Sequence, residues 1–99
     1  MANVVELVFY KLKEGVPEQQ FLTTSDELNA GFLSLKKGYI SRKLIKKDDT
    51  WADIVLWETM DDAMNALSDS EQSSAAMPFL ECIEGSSCEL QHLTVVKSY

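Results

Sequence analysis

Six side chains in this 99-residue sequence have types and spacing that suit chemistry on a small molecule. His92 is the one histidine, and imidazole is the side chain best placed to act as a general base near neutral pH. A lone histidine on a strand can equally be a core group hydrogen-bonded to a neighbour such as Asp53 or Glu6. Asp53 can orient His92, or take a proton itself where apolar walls favour its neutral form. It can also be half of a salt bridge with Arg42. Trp57, like Trp51, offers a ring for stacking on an aromatic compound or for packing at an interface. Tyr10 can donate to a carbonyl or phenolate oxygen, or anchor an interface. Glu6 suits a partner of Arg42 or His92. Glu6, Tyr10, Asp53, Trp57 and His92 define one pocket, joined by Arg42 if its strand has the matching parity. Aromatic walls with a few polar groups are what a small planar ligand needs.

Such a pocket needs a sheet to hold it, and the stretch from Thr50 to Leu67, TWADIVLWETMDDAMNAL, sets the pattern. Successive side chains on a strand face opposite sides, so Ala52, Ile54 and Leu56 share one face and Trp51, Asp53, Val55 and Trp57 the other. The aliphatic set predicts the face packed under helices. The mixed set, two indoles with a carboxylate, is poor material for a dry core and suits a pocket. Directly after it, Thr59 or Asp61 can cap a helix that opens on acidic residues, with Ala63, Ala66 and Leu67 as its apolar stripe.

The remaining elements follow in order. Val4 to Lys13 is a strand with Val5, Leu7 and Phe9 on one face and Val4, Glu6, Val8 and Tyr10 on the other. Gly15-Val16-Pro17 ends it. A helix runs from about Pro17, at its first position, to Lys37, with Phe21, Leu28, Phe32 and Leu35 in one stripe and Gly38 as its stop. Tyr39 to Lys47 is a second strand, polar through Arg42, Lys43, Lys46 and Lys47 and so less buried or an edge, and a turn over Lys47 to Thr50 leads into the third. The second helix is interrupted, because Ser68 to Glu71 supplies new cap residues and Pro78 cannot sit mid-helix. Its pieces end at Leu67 and run from Glu71 to Met77, followed by a short turn ended by Gly85. Met60, Met64 and Met77 read as packing residues. Cys88 to Lys97 is the last strand, with Leu90, His92, Thr94 and Val96 on one face.

The order β-α-β-β-α-β, with Val4 repeating against Ala52 and Tyr39 against Cys88, is an α+β, ferredoxin-like split βαβ domain over residues 1–99. It has one antiparallel sheet with two helices on one face. The other face would carry Val4, Val8, Tyr10, Trp51, Val55, Trp57, Leu90 and Val96. An apolar patch of that extent marks an interface, and a second copy related by two-fold symmetry is the simplest cover. The space between two curved sheets would then be the pocket.

The totals exclude several classes. The net charge is −7, which argues against nucleic acid as a partner. Residues 1–49 carry eight Lys/Arg and seven Asp/Glu, and residues 50–99 one and nine; this asymmetry reads as solubility. No apolar run approaches the roughly 20 residues of a membrane helix. MANVVELVFY has no basic start and no small-residue cleavage site, so a strand rather than a leader is expected. Cys82 and Cys88 lack metal-ligand spacing, and two reduced thiols in a cytoplasmic protein are the expectation.

The opening VFYKLKEG, the helix stop before GYISRKL, WADIVLWE followed by Asp61-Asp62-Ala63-Met64-Asn65-Ala66, and His92 on the last strand carry a resemblance over nearly the whole chain. The sequence resembles the dimeric α/β-barrel superfamily and, within it, the antibiotic-biosynthesis-monooxygenase-like proteins. The resemblance implies a homodimer. For the oxygenase members it implies chemistry without metal or flavin, in which a base removes a proton and the substrate's own carbanion meets O₂ in a lumen lined by Asn, Trp, Tyr or Arg. Trp57, Tyr10 and Arg42 match those types, and no Asn stands on a predicted strand. Heme-degrading members use a histidine on the second helix, where this chain has none. Three readings follow: a cofactor-free enzyme acting on a planar aromatic or polyketide-like compound, a metabolite-binding protein without turnover, and a stress-related structural dimer. An open lumen beside His92 and Asp53 distinguishes the first two from the third, in which Trp51, Trp57 and Tyr10 fill it.

Overall fold

The computed structural model describes residues 2–99; Met1, the start of the segment weighed above as a leader, lies outside them. The elements are β1 (Val4–Tyr10), α1 (Glu18–Gly31), β2 (Tyr39–Lys47), β3 (Thr50–Trp57), α2 (Met60–Ser70), α3 (Met77–Glu81) and β4 (Glu89–Thr94). The four strands form one sheet in the order β2-β3-β1-β4 with every pairing antiparallel, the expected ferredoxin-like arrangement. Glu6 stands opposite Val55 on one side and His92 on the other, and Arg42 stands opposite Val55 across the sheet.

Several boundaries differ from the sequence reading, each for a local reason. β1 ends at Tyr10 rather than Lys13, and Leu12 beyond it makes an isolated bridge to Ile83. Pro17 caps α1 instead of occupying its first turn. The helix ends at Gly31 because Phe32 leaves helical geometry at φ −136 and ψ −70. A short 3₁₀ turn over Leu33–Leu35 follows and brings Phe32 and Leu33 into the core. Leu35, the last member of the expected stripe, is 75% exposed. Thr59 caps α2 by accepting from the Asp62 backbone N–H at 3.1 Å. That helix runs to Ser70, and its continuation begins at Met77 rather than Glu71. Ser73 explains the shift, since its hydroxyl accepts from the N–H of Ala76 and its carbonyl from that of Met77. Pro78 then falls in a first turn, where its missing N–H costs nothing. Met60, Met64 and Met77 are substantially exposed, so they are not the packing residues expected. β4 stops at Thr94, and Val95 closes the sheet edge by donating to the Asn3 carbonyl at 2.8 Å.

The largest correction concerns the faces of the sheet. Helices cover the mixed face, not the aliphatic one. Tyr10, Trp51, Val55 and Trp57 join Phe21, Leu28, Phe32, Ala63, Ala66 and Phe79 in one buried cluster. Val5, Leu7, Phe9, Ile54, Leu56 and Leu93 lie on the opposite face, which no helix covers, and Phe9 and Leu93 are exposed there. Val96 lies beyond β4 and belongs to neither face. Volume and charge explain the inversion. Two indoles and a phenol fill the deep space beneath a helical layer, with Phe21 edge-on to Trp51 at 4.9 Å and tilted against Phe79 at 5.0 Å. The carboxylate that looked unfit for a core finds its counter-charge in Arg42, on the strand next door.

Candidate functional site

The inversion moves the pocket inside a single chain. A partly open cavity of about 280 Å³ lies between the mixed sheet face and the helices. Its floor is Glu6, Val8, Tyr10, Arg42, Asp53, Val55 and Trp57, and its roof is Leu28 and Phe32 from the first helical segment, Ala66 and Leu67 from α2, and Phe79 and Leu80 from α3. Leu90 and Cys88 close one end. Five of the six residues singled out in the sequence therefore line one cavity. His92 does not; it reaches the cavity only through Glu6.

The polar wall has two parts. In the first, Asp53 Oδ1 accepts from Arg42 Nε at 2.8 Å and Oδ2 accepts from the Tyr10 hydroxyl at 3.1 Å. The Arg42 and Asp53 side chains are 6% and 9% exposed. Arg42 also donates through Nη1 to the Ser25 carbonyl at 3.2 Å, and its guanidinium lies over the Phe79 ring. The salt-bridge reading of Asp53 thus describes its contacts, and its two oxygens are both occupied. Burial, with the Asp53 carboxylate beside it, holds the Tyr10 phenol protonated far beyond its usual range. Tyr10 is consequently a donor and not a base.

In the second part, His92 Nε2 and Glu6 Oε1 share a hydrogen bond of 2.9 Å. His92 is on β4, which pairs with β1 and not with β3, so of the two candidate partners, Asp53 and Glu6, it bonds Glu6. Burial raises the Glu6 carboxyl above its ordinary value, against the opposing pull of His92. Burial likewise pushes the Cys88 thiol up.

Among the described residues two donors in this region have no acceptor. Arg42 Nη2 and Trp57 Nε1 are both buried and unpartnered. Trp57 has no exposed surface at all, and Tyr39 stands edge-on to it at 6.1 Å. A buried donor without a partner costs free energy, on the order of 1–3 kcal/mol. Both orphans belong to residues of the cavity wall. Nothing in the sequence marks these donors as orphans, because that property depends on what the fold fails to place beside them. Phe79, Leu80 and Cys88 were also not legible as lining residues, whereas Leu28 and Phe32 carried a signal in the first helix's apolar stripe.

Among the described residues no group of three or more His, Cys, Asp or Glu is placed to hold a metal ion, and no helix is long and apolar enough to cross a membrane. No protein-family model matches the chain, and no curated protein matches it. Solved structures do. A variant of SnoaB, a cofactor-independent oxygenase from Streptomyces nogalater, is 16% identical over 99% of this chain and 97% of its own, with a TM-score of 0.75. A Bordetella bronchiseptica protein provisionally named an antibiotic biosynthesis monooxygenase is 16% identical over 98% of this chain and 100% of its own, with a TM-score of 0.80. A dimeric protein of unknown function and ferredoxin-like fold from Bacteroides fragilis is 16% identical over 96% and 98%, with a TM-score of 0.66. The chain has the ferredoxin-like fold, in the form seen in antibiotic-biosynthesis-monooxygenase-like structures.

Proposed function

We propose that this chain binds a small planar aromatic or polyketide-like compound bearing oxygen acceptors, in the cavity between sheet and helices. The observation that carries the reading is the pair of buried donors, Arg42 Nη2 and Trp57 Nε1, left without partners among the described residues and belonging to residues that line the cavity. Apolar walls with a few fixed polar groups suit such a ligand. Glu6, Tyr10, Arg42 and Trp57 are the ligand-binding groups in this reading. Asp53, on the cavity floor, holds Arg42 and Tyr10 in place, and His92, behind that floor, holds Glu6. A cavity of about 280 Å³ supports this over a structural dimer with a filled lumen. The likeness in fold to a cofactor-independent oxygenase supports proton abstraction from the ligand, the first step of monooxygenase chemistry without a cofactor, as the activity.

The same reading makes the protein a homodimer through its open face, now the one carrying Leu7, Phe9, Ile54 and Leu93. The dimeric Bacteroides fragilis neighbour supports this. Free thiols at Cys82 and Cys88 agree with a cytoplasmic setting.

Calorimetric titration with 1-hydroxy-2-naphthoate tests the site. Wild type should bind it and should bind naphthalene more weakly. Trp57→Phe, which removes one orphan donor, should weaken binding of the acid about tenfold, the effect of one hydrogen bond of roughly 1.4 kcal/mol. Equal affinity for the acid and naphthalene would refute the assignment of the donors.

A further inference from the structure

Three groups on the cavity floor could take a proton from a bound ligand, and the geometry leaves one of them free to do so. Asp53 has both oxygens occupied, by Arg42 Nε and by the Tyr10 hydroxyl. Tyr10 is held protonated as the donor in that contact. Glu6 uses only Oε1, in its bond to His92, and among the described residues Oε2 has no partner. Glu6 lines the cavity and His92 does not. His92 stands behind Glu6 on β4, an edge strand of the sheet.

We infer that Glu6 is the proton acceptor of the cavity and that His92 is a positioning residue that holds it. The inference rests on the reading that the cavity binds an aromatic, oxygen-bearing compound, and it names which residue reacts. The Glu6 carboxylate takes a proton from a carbon beside a ligand carbonyl. The electron pair of the broken C–H bond stays on the ligand, which becomes an enolate. The proton leaves Oε2 for water through the partly open cavity, and the His92 Nε2–H keeps its 2.9 Å hydrogen bond to Oε1 throughout. No electrons leave the ligand and no further reactant is needed.

The surroundings of Glu6 fit this role. From β4 it faces His92, from β3 it senses Asp53, and Asp53 is neutralised by Arg42 of β2 and bonded to Tyr10 of β1. The helices contribute no charged side chain to the cavity lining. Burial shifts Glu6 upward, toward the range in which a carboxylate is a stronger base.

The experiment uses 2-tetralone, a bicyclic ketone with acidic C–H bonds, incubated with the protein in D₂O. Washout of its α-protons is followed by proton NMR, and its binding by tryptophan fluorescence. Wild type should accelerate washout. Glu6→Gln should still bind the ketone and lose the acceleration by about 10²- to 10⁴-fold, the usual size of a general base's contribution. His92→Leu should keep the binding and slow washout, and His92→Gln, whose amide can still donate to Glu6, should restore the rate, a rescue that a merely structural histidine would not give. Washout unaffected in Glu6→Gln but lost in Asp53→Asn would overturn the inference and leave the binding reading intact. A wild type that binds no 2-tetralone would overturn both. A measurement on the unmutated chain covers a variant that fails to fold: wild-type washout should rise with pH through an inflection above 4.5, the ordinary value of the Glu6 carboxyl, and a rate that does not change with pH contradicts a carboxylate base.

Discussion

Replacing Arg42 with methionine removes the cation from a pair that is almost dry. Methionine keeps most of the volume, so the loss is mainly electrostatic. Asp53 would lose the 2.8 Å contact with Nε and keep only the Tyr10 hydroxyl. Removing one member of a buried ion pair costs roughly 3–5 kcal/mol, because the other charge stays behind uncompensated. The remaining Tyr10 hydrogen bond favours the lower end, about 3 kcal/mol. Unfolding entropy of about 2.1 cal/mol/K per residue gives roughly 0.2 kcal/mol/K for a chain this long, so the midpoint should fall by about 15 °C. Differential scanning calorimetry near neutral pH reads this directly. Arg42→Met combined with Asp53→Leu removes both charges and should recover most of the loss, since an apolar replacement of a buried pair is often neutral or better. A single Arg42→Met variant that melts within about 3 °C of wild type, a loss of well under 1 kcal/mol, would refute the dry pair.

Three further outcomes are expected. Leu7→Asp places a charge in the middle of the uncovered sheet face and should turn a dimer into a monomer or an insoluble chain; sedimentation velocity finding wild type already monomeric at micromolar concentration would contradict the interface. Glu6→Gln should change how stability depends on pH. Because burial raises Glu6 above its ordinary value of 4.5, its contribution is fully present below that value and is lost as pH rises through the raised one. The variant cannot ionise, so it should melt above wild type in mild alkali and lose that advantage in acid, and an advantage that grows in acid would reverse the assigned direction. Gly38→Ala should destabilise by about 1–2 kcal/mol or more, since Gly38 sits at φ 85 and a Cβ there would collide with the Asp62 carboxylate; chemical denaturation checks it.

Strand parity was legible in the sequence, because a side-chain period of two survives any tertiary arrangement. The grouping of Glu6, Tyr10, Asp53 and Trp57 on one face followed from it, and Arg42 joined them through the parity of β2. Which face meets the helices was not legible. Both faces of β1 and β3 are apolar enough to be buried, and the choice turned on the volume of the two indoles and on Arg42 neutralising Asp53. Asp53 and Glu6 were both open as partners of His92 from sequence, and the pairing of β4 with β1, which parity alone does not fix, makes the partner Glu6. The end of α1 was misjudged because Lys36, Lys37 and Gly38 look like a helix terminus, while the backbone leaves the helix at Phe32 to bury that ring.

The central claim is that a bound oxygen acceptor satisfies the Trp57 indole. The chain has two tryptophans, so an ¹⁵N–¹H correlation spectrum shows two indole signals, assigned with Trp51→Phe. Trp51 packs on Phe21 and is not part of the cavity lining. Titration with 1-hydroxy-2-naphthoate should move the Trp57 Nε1–H signal downfield and saturably, while the Trp51 signal stays in place. A Trp57 signal that does not move at millimolar ligand, or that moves equally with naphthalene, would contradict the account.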